Sequence, residues 1–135
     1  MRLWHYKLIP YLPKSQLLGQ WRELNSIFNK QDKHILINYI YEYPKDDLMS
    51  YSRLVISEML KRGYDVHLHN LVNYFKDGFH TNAIEHPFKN HHNDRYLDQC
   101  YFNLQEKYDR GQKDFYSSQY YQLTNFMQKN NNNKE

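Results

Sequence analysis

The sequence predicts an all-α chain, a compact single-domain bundle of three main helices with an extended N-terminal arm and long irregular connections. Three observations carry this. Apolar residues recur at helical spacing in three separate stretches of the 135 residues. Pro10 and Pro13 stiffen the start of the chain. Glycines close two of the stretches, at Gly63 and Gly111. At this length one domain is expected, with a core that needs no staples. The single cysteine, Cys100, excludes an internal disulfide and fits a reducing compartment. With no long apolar run and with Arg2, His5 and Lys7 interrupting the start, a cytoplasmic monomer that avoids membranes is expected.

Residues 1–13 read as the extended arm. The first helix begins near Pro13 to Ser15, with Leu17, Leu18, Trp21, Leu24 and Phe28 as its buried stripe. Glu23 lies about 140° from the centre of that stripe at 100° per residue, sharing a face with Gln16, Gly19, Ser26 and Lys30. By position alone Glu23 is ordinary surface charge. Gly19, one turn earlier, costs roughly 1 kcal/mol in a helix; either a close approach to the backbone or a tight helix crossing explains it. Residues 31–45 are compatible with a helix end or an extended segment. The second helix is capped by Asp46 and Asp47, buries Leu48, Tyr51, Leu54, Val55, Met59 and Leu60, and stops at Gly63. Residues 64–92 form a long connection with one short helix around Leu71 to Phe75. The third helix starts at Asn93 or Asp94, carries Leu97, Cys100, Tyr101, Leu104 and Tyr108, and ends at Gly111. Cys100 on that stripe reads as core. Phe115, Tyr116, Tyr120, Tyr121 and Phe126 could pack as a last short helix or offer rings to stacked bases. The domain spans residues 1–129, and the Asn-rich tail 130–135 reads as disordered.

Charge is uneven. Residues 1–30 hold five bases (Arg2, Lys7, Lys14, Arg22 and Lys30) against one acid, Glu23, giving +4 in a chain of net +3 and leaving −1 beyond Lys30. A basic field around one carboxylate and an α-amine suits chemistry on a phosphate-bearing polymer. His67, His69, His80, His86, His91 and His92 gather in the long connection. No acid or thiol completes a ligand set with them, so neither a metal nor another cofactor is expected.

Met1-Arg2 followed by Leu17-Leu-Gly-Gln-Trp-Arg-Glu-Leu24 resembles the pyrimidine-dimer DNA glycosylases of the phage endonuclease V type. Their corresponding helix runs leucine, a small residue, an acid, an aromatic, Arg, Glu, Leu. Leu60-Lys-Arg-Gly-Tyr-Asp-Val66 is similar to the end of that family's second helix. Leu104-Gln-Glu-Lys-Tyr-Asp-Arg110 with the Tyr-rich stretch after it is similar to its third helix and aromatic C-terminus. His92-Asn-Asp-Arg-Tyr-Leu97 looks like uncharacterised bacterial members. The resemblance covers Met1 to about Tyr121.

The resemblance implies a helical repair enzyme acting on damaged double-stranded DNA, cutting the glycosidic bond at a pyrimidine dimer and then nicking the abasic sugar. Met1, through its α-amine, and Glu23 are the implied catalytic groups. Arg2, Arg22, Lys30, Lys33, His34, Tyr116 and Tyr120 are the implied DNA contacts. The family's amine belongs to a Thr exposed by loss of the initiator Met. Here Arg2 follows Met1 directly, and methionine is expected to stay because aminopeptidase needs a small second residue. Ser26 stands where the phage enzyme has a phosphate-holding Arg. An α-amine, with pKa about 7.7–8.0, is roughly 15–25% neutral at pH 7.2, against under about 0.1% for a lysine. A binder of distorted nucleic acid that does not cut, and a helical protein-interaction domain, are the alternatives.

Overall fold

The computed structural model describes residues 2–76 and 82–133. Among them are five α-helices and no strand: α1 (Lys14–Lys30), α2 (Lys45–Lys61), α3 (His69–Tyr74), α4 (Asp94–Asp109) and α5 (Ser117–Asn132). Two 3-10 segments, Tyr6–Tyr11 and Asn38–Glu42, complete the order. The all-α class holds, but the long helices number four.

The arm is the first departure from expectation. Tyr6–Tyr11 is a 3-10 helix whose entry is fixed by His5, its Nδ1 accepting the Lys7 N–H at 3.1 Å. Pro10 is tolerated inside because so short a helix asks little of its N–H. This segment is central rather than peripheral. It packs against α2, α4 and α5, and Leu3, Leu8, Ile9 and Leu12 are buried.

α1 starts after Pro13, and its orphan Ser15 N–H donates to Asp114 Oδ2 at 2.6 Å, a cap supplied from the segment before α5. Burial pushes the Asp114 carboxyl up, yet hydrogen bonds from Ser15 and Gln112 leave it below its ordinary value. Leu17, Gln20, Trp21, Leu24, Ile27 and Phe28 form the buried stripe, while Leu18 is half-buried. Gln31, in the left-handed region at φ 50°, ends the helix with its N–H on Ile27 O. α1 packs on α2 and α3.

α2 is not capped by its aspartates. Pro44 holds the cap position, and Asp46 and Asp47 sit in the first turn, favourable to the helix dipole. Asp47 is buried and reaches outward instead, accepting the Phe88 N–H at 2.9 Å; Ser50 Oγ accepts the Ile84 N–H at 3.0 Å. Leu54 and Leu60, expected in the core, are exposed because the bundle covers a narrower arc of α2 than its apolar residues span. Gly63 at φ 83° makes the expected stop, with the Tyr64 N–H on Met59 O.

Asn93 caps α4 by accepting the Tyr96 N–H, and Gly111 closes it. Residues 31–45 resolve into a turn and the 3-10 helix Asn38–Glu42. α5 is longer than expected and takes in Asn130–Asn132 of the stretch read as disordered tail. Leu123 and Met127 anchor it, and Phe126 stacks on Tyr11 with centroids 4.9 Å apart. Among the described residues no helix is long and apolar enough to cross a membrane.

Candidate active site

Gln20 organises the site. It is a polar residue on the apolar stripe of α1, only 2% exposed, and its amide is spent on the chain's first residues. Oε1 accepts the Trp4 N–H at 2.7 Å, and Nε2 donates to Arg2 O at 3.2 Å. From α2 the Tyr51 hydroxyl lies 2.6 Å from Trp4 O and 2.9 Å from Gln20 Oε1. Backbone polar groups entering a core must be paired, and these two side chains pair them. The result is a short stretch, Arg2 to Trp4, fastened alongside α1 one turn before Glu23.

A cleft of about 310 Å³ opens beside this junction, lined by Arg2, Trp4, Gln16, Gly19, Gln20 and Glu23, with Asn103 and Lys107 of α4 opposite. Glu23 is half-buried, and its Oε1 is sealed from solvent with no hydrogen-bond partner among the described residues. Burial raises its pKa above the ordinary value; the positive charge of the chain terminus opposes this, Asp32 adds to it and His34 lowers it. A carboxylate so placed is suited to holding and passing a proton. It is not plain surface charge.

Among the described residues a methyl group at Gly19 would meet only Arg22 Nη2, at 3.5 Å. No second helix among them crosses there, so the crossing explanation falls and the glycine fronts the open cleft.

The expected contact residues divide. Arg2 and Glu23 line the cleft; Met1 lies outside the described residues. The Arg2 guanidinium turns toward α4, its central carbon 6.0 Å from the Tyr96 ring centroid. Arg22, Lys30, Lys33 and His34 are exposed along α1 and the turn that follows it. Tyr116 is 64% exposed at the start of α5. The Tyr120 ring is taken, stacked on Tyr108 at 4.0 Å and 3°, with its hydroxyl accepting from Gln105.

Gln20, Asn103 and Lys107 escaped sequence reasoning. A glutamine interrupting an apolar stripe was a usable signal for the first. Nothing local marked the other two, which reach the cleft only through the packing of α4. Lys107 has no carboxylate within ion-pair distance among the described residues.

Three of the histidines pair with tyrosine hydroxyls. Tyr6 pairs with His86 at 2.6 Å, Tyr39 with His92 at 2.6 Å and Tyr43 with His91 at 2.8 Å. His67 and His69 are exposed, and His80 lies outside the described residues. Among the described residues no three His, Cys, Asp or Glu side chains converge as ligands.

No curated protein and no solved structure matches the chain. One family model does, described as pyrimidine dimer DNA glycosylase, over residues 1–72. That span takes in the arm, α1 with Gln20 and Glu23, and α2 with Tyr51. With more than half of its length matched, the chain belongs to the pyrimidine dimer DNA glycosylase family.

Proposed function

We propose that the protein removes a damaged pyrimidine from duplex DNA and then cleaves the abasic strand, using the Met1 α-amine as nucleophile and Glu23 as the proton-handling carboxylate. The observation that carries this is the Gln20 amide on the Arg2 carbonyl and the Trp4 N–H. Met1 is joined directly to Arg2 in the sequence, and Arg2 shares a cleft with Glu23.

The neutral amine attacks the sugar C1′. The C1′–N bond to the base breaks, its electron pair leaves with the base, and a proton goes to the departing ring. Loss of the amine proton and ring opening give the imine. Glu23 stabilises the cationic sugar and moves the protons. Removal of a C2′ proton then expels the 3′ phosphate by β-elimination, and water hydrolyses the imine to restore the amine. Lys107 and Arg2 supply positive charge for the flanking phosphates, joined on the outer face by Arg22, Lys30 and Lys33. Exposing the sugar requires a kinked duplex or a displaced nucleotide.

Borohydride trapping on a dimer-containing or abasic duplex tests the reading. A covalent protein–DNA adduct is expected, absent when an uncleaved tag blocks the terminus. Equal nicking by blocked and free protein would remove the amine from the mechanism.

A further inference from the structure

Between α1 and the 3-10 helix Asn38–Glu42 the chain makes a tight turn whose crest is apolar. Ile35 is 84% exposed and Leu36 43%. Single exposed aliphatics are ordinary, but this pair is held out by a stiff frame. The His34 N–H donates to Asn38 Oδ1 at 2.7 Å, and the Leu36 N–H donates to His34 Nδ1 at 3.1 Å. The N–H groups of Ile37 and Asn38 both reach His34 O, at 2.8 and 2.9 Å. Below the crest Ile37 is fully buried, and the Tyr41 hydroxyl donates to Asp32 O. A loop fastened at five points that still turns two aliphatic side chains to water is built to present them.

The surroundings indicate what it meets. Lys30 and Lys33 are exposed just before the crest, and Arg22 is exposed on the same helix. Lys30 shares a face of α1 with Glu23 two turns away, about 10 Å at 1.5 Å per residue. That is roughly three base steps of about 3.4 Å along a duplex. Apolar side chains flanked by cations, next to a site that needs bent DNA, match the wedges with which proteins unstack a base step.

We propose that Ile35, backed by Leu36, enters the base stack within a few steps of the reacting nucleotide and holds the kink that exposes the sugar to Glu23. This rests on the DNA-cleaving reading above.

The test uses duplexes carrying an abasic analogue, with 2-aminopurine placed two to five steps to either side. The unaltered protein should brighten the probe at one position by unstacking it. Ile35→Ser should lose most of that signal and slow cleavage of an abasic duplex by about tenfold or more, while cleaving an abasic single strand at the same rate. Ile35→Leu should restore both. Because Ile35 is exposed, both variants should fold, which circular dichroism checks. If the probe brightens equally with Ile35→Ser, or stays dark with the unaltered protein bound, the wedge is wrong while trapping still upholds the amine chemistry. If no duplex binds, both fall. Self-association that is lost in Ile35→Ser, with cleavage unchanged, would make the crest a protein contact and also overturn the wedge.

Discussion

The Trp4 N–H donates to Gln20 Oε1 at 2.7 Å inside the core, joining the start of the chain to the helix that carries Glu23. Gln20→Ala leaves that N–H and the Arg2 carbonyl without their partner. A buried polar group left unsatisfied costs about 1–3 kcal/mol, so urea unfolding should show a loss of roughly 2–4 kcal/mol. Under conditions where the variant is still folded, trapping should fall further than the folded fraction does, because the arm is no longer fastened beside Glu23. Trapping that tracks only the folded fraction would separate the clamp from the chemistry.

Glu23 is expected to trade stability for activity. Its pKa is raised by burial, so the folded protein binds this proton more tightly than the unfolded chain. Stability therefore falls as pH climbs above the ordinary glutamate value of about 4.3, and the penalty is fully present at pH 7. Glu23→Gln keeps the shape and discards the charge. It should be more stable than the parent at pH 7 and no more stable at pH 4, while strand nicking drops by about 10²–10⁴-fold. A variant that is destabilised at pH 7 would show that the carboxylate holds the fold.

What could be read from the chain was local. The stripe Leu17, Trp21, Leu24, Phe28, the stop at Gly63 and the cap at Asn93 each depend on residues within two turns, and each stands as expected. α5 was hard to see because only Leu123 and Met127 are buried along 16 residues that end in asparagines, poor helix formers held here by packing. The 3-10 turn of the arm depends on burial among three helices, which overrides its two prolines. Lys107 lies 84 positions beyond Glu23, and no periodicity links them; only the fold sets α4 across the cleft.

Arg2 and Lys107 should behave differently although both line the cleft. Lys107 has no acid partner among the described residues, so Lys107→Ala should leave the thermal midpoint within a degree or two. It should weaken duplex binding at every sequence and reduce the log–log salt slope by about 0.9, the signature of one lost phosphate contact. Arg2 packs toward Tyr96, so Arg2→Ala should also lower stability by roughly 1 kcal/mol. An unchanged salt slope for Lys107→Ala would remove it from the DNA surface.

Acid should unfold this protein through two histidines that play no part in the proposed chemistry. Burial holds His5 down to about 4, helped by Lys7, and holds His92 down to about 2, helped by His5 and His91. The His92 ring is fully engaged while neutral, Nδ1 accepting the Tyr6 N–H at 3.2 Å and Nε2 paired with the Tyr39 hydroxyl. Both folded values lie below the ordinary 6.5, so the unfolded chain takes up protons that the folded one refuses. Their stabilisation is complete above about pH 6.5 and shrinks as pH falls, by about 1.4 kcal/mol per unit for each ring. At pH 5 the two together forfeit about 4 kcal/mol, a large share of a typical domain's 5–15. His92→Gln, which can still accept from the Tyr6 N–H, should roughly halve the slope of unfolding free energy against pH between 6 and 4.5. Urea titrations at stepped pH measure that slope, and an unaltered value would assign the acid sensitivity to the carboxylates instead.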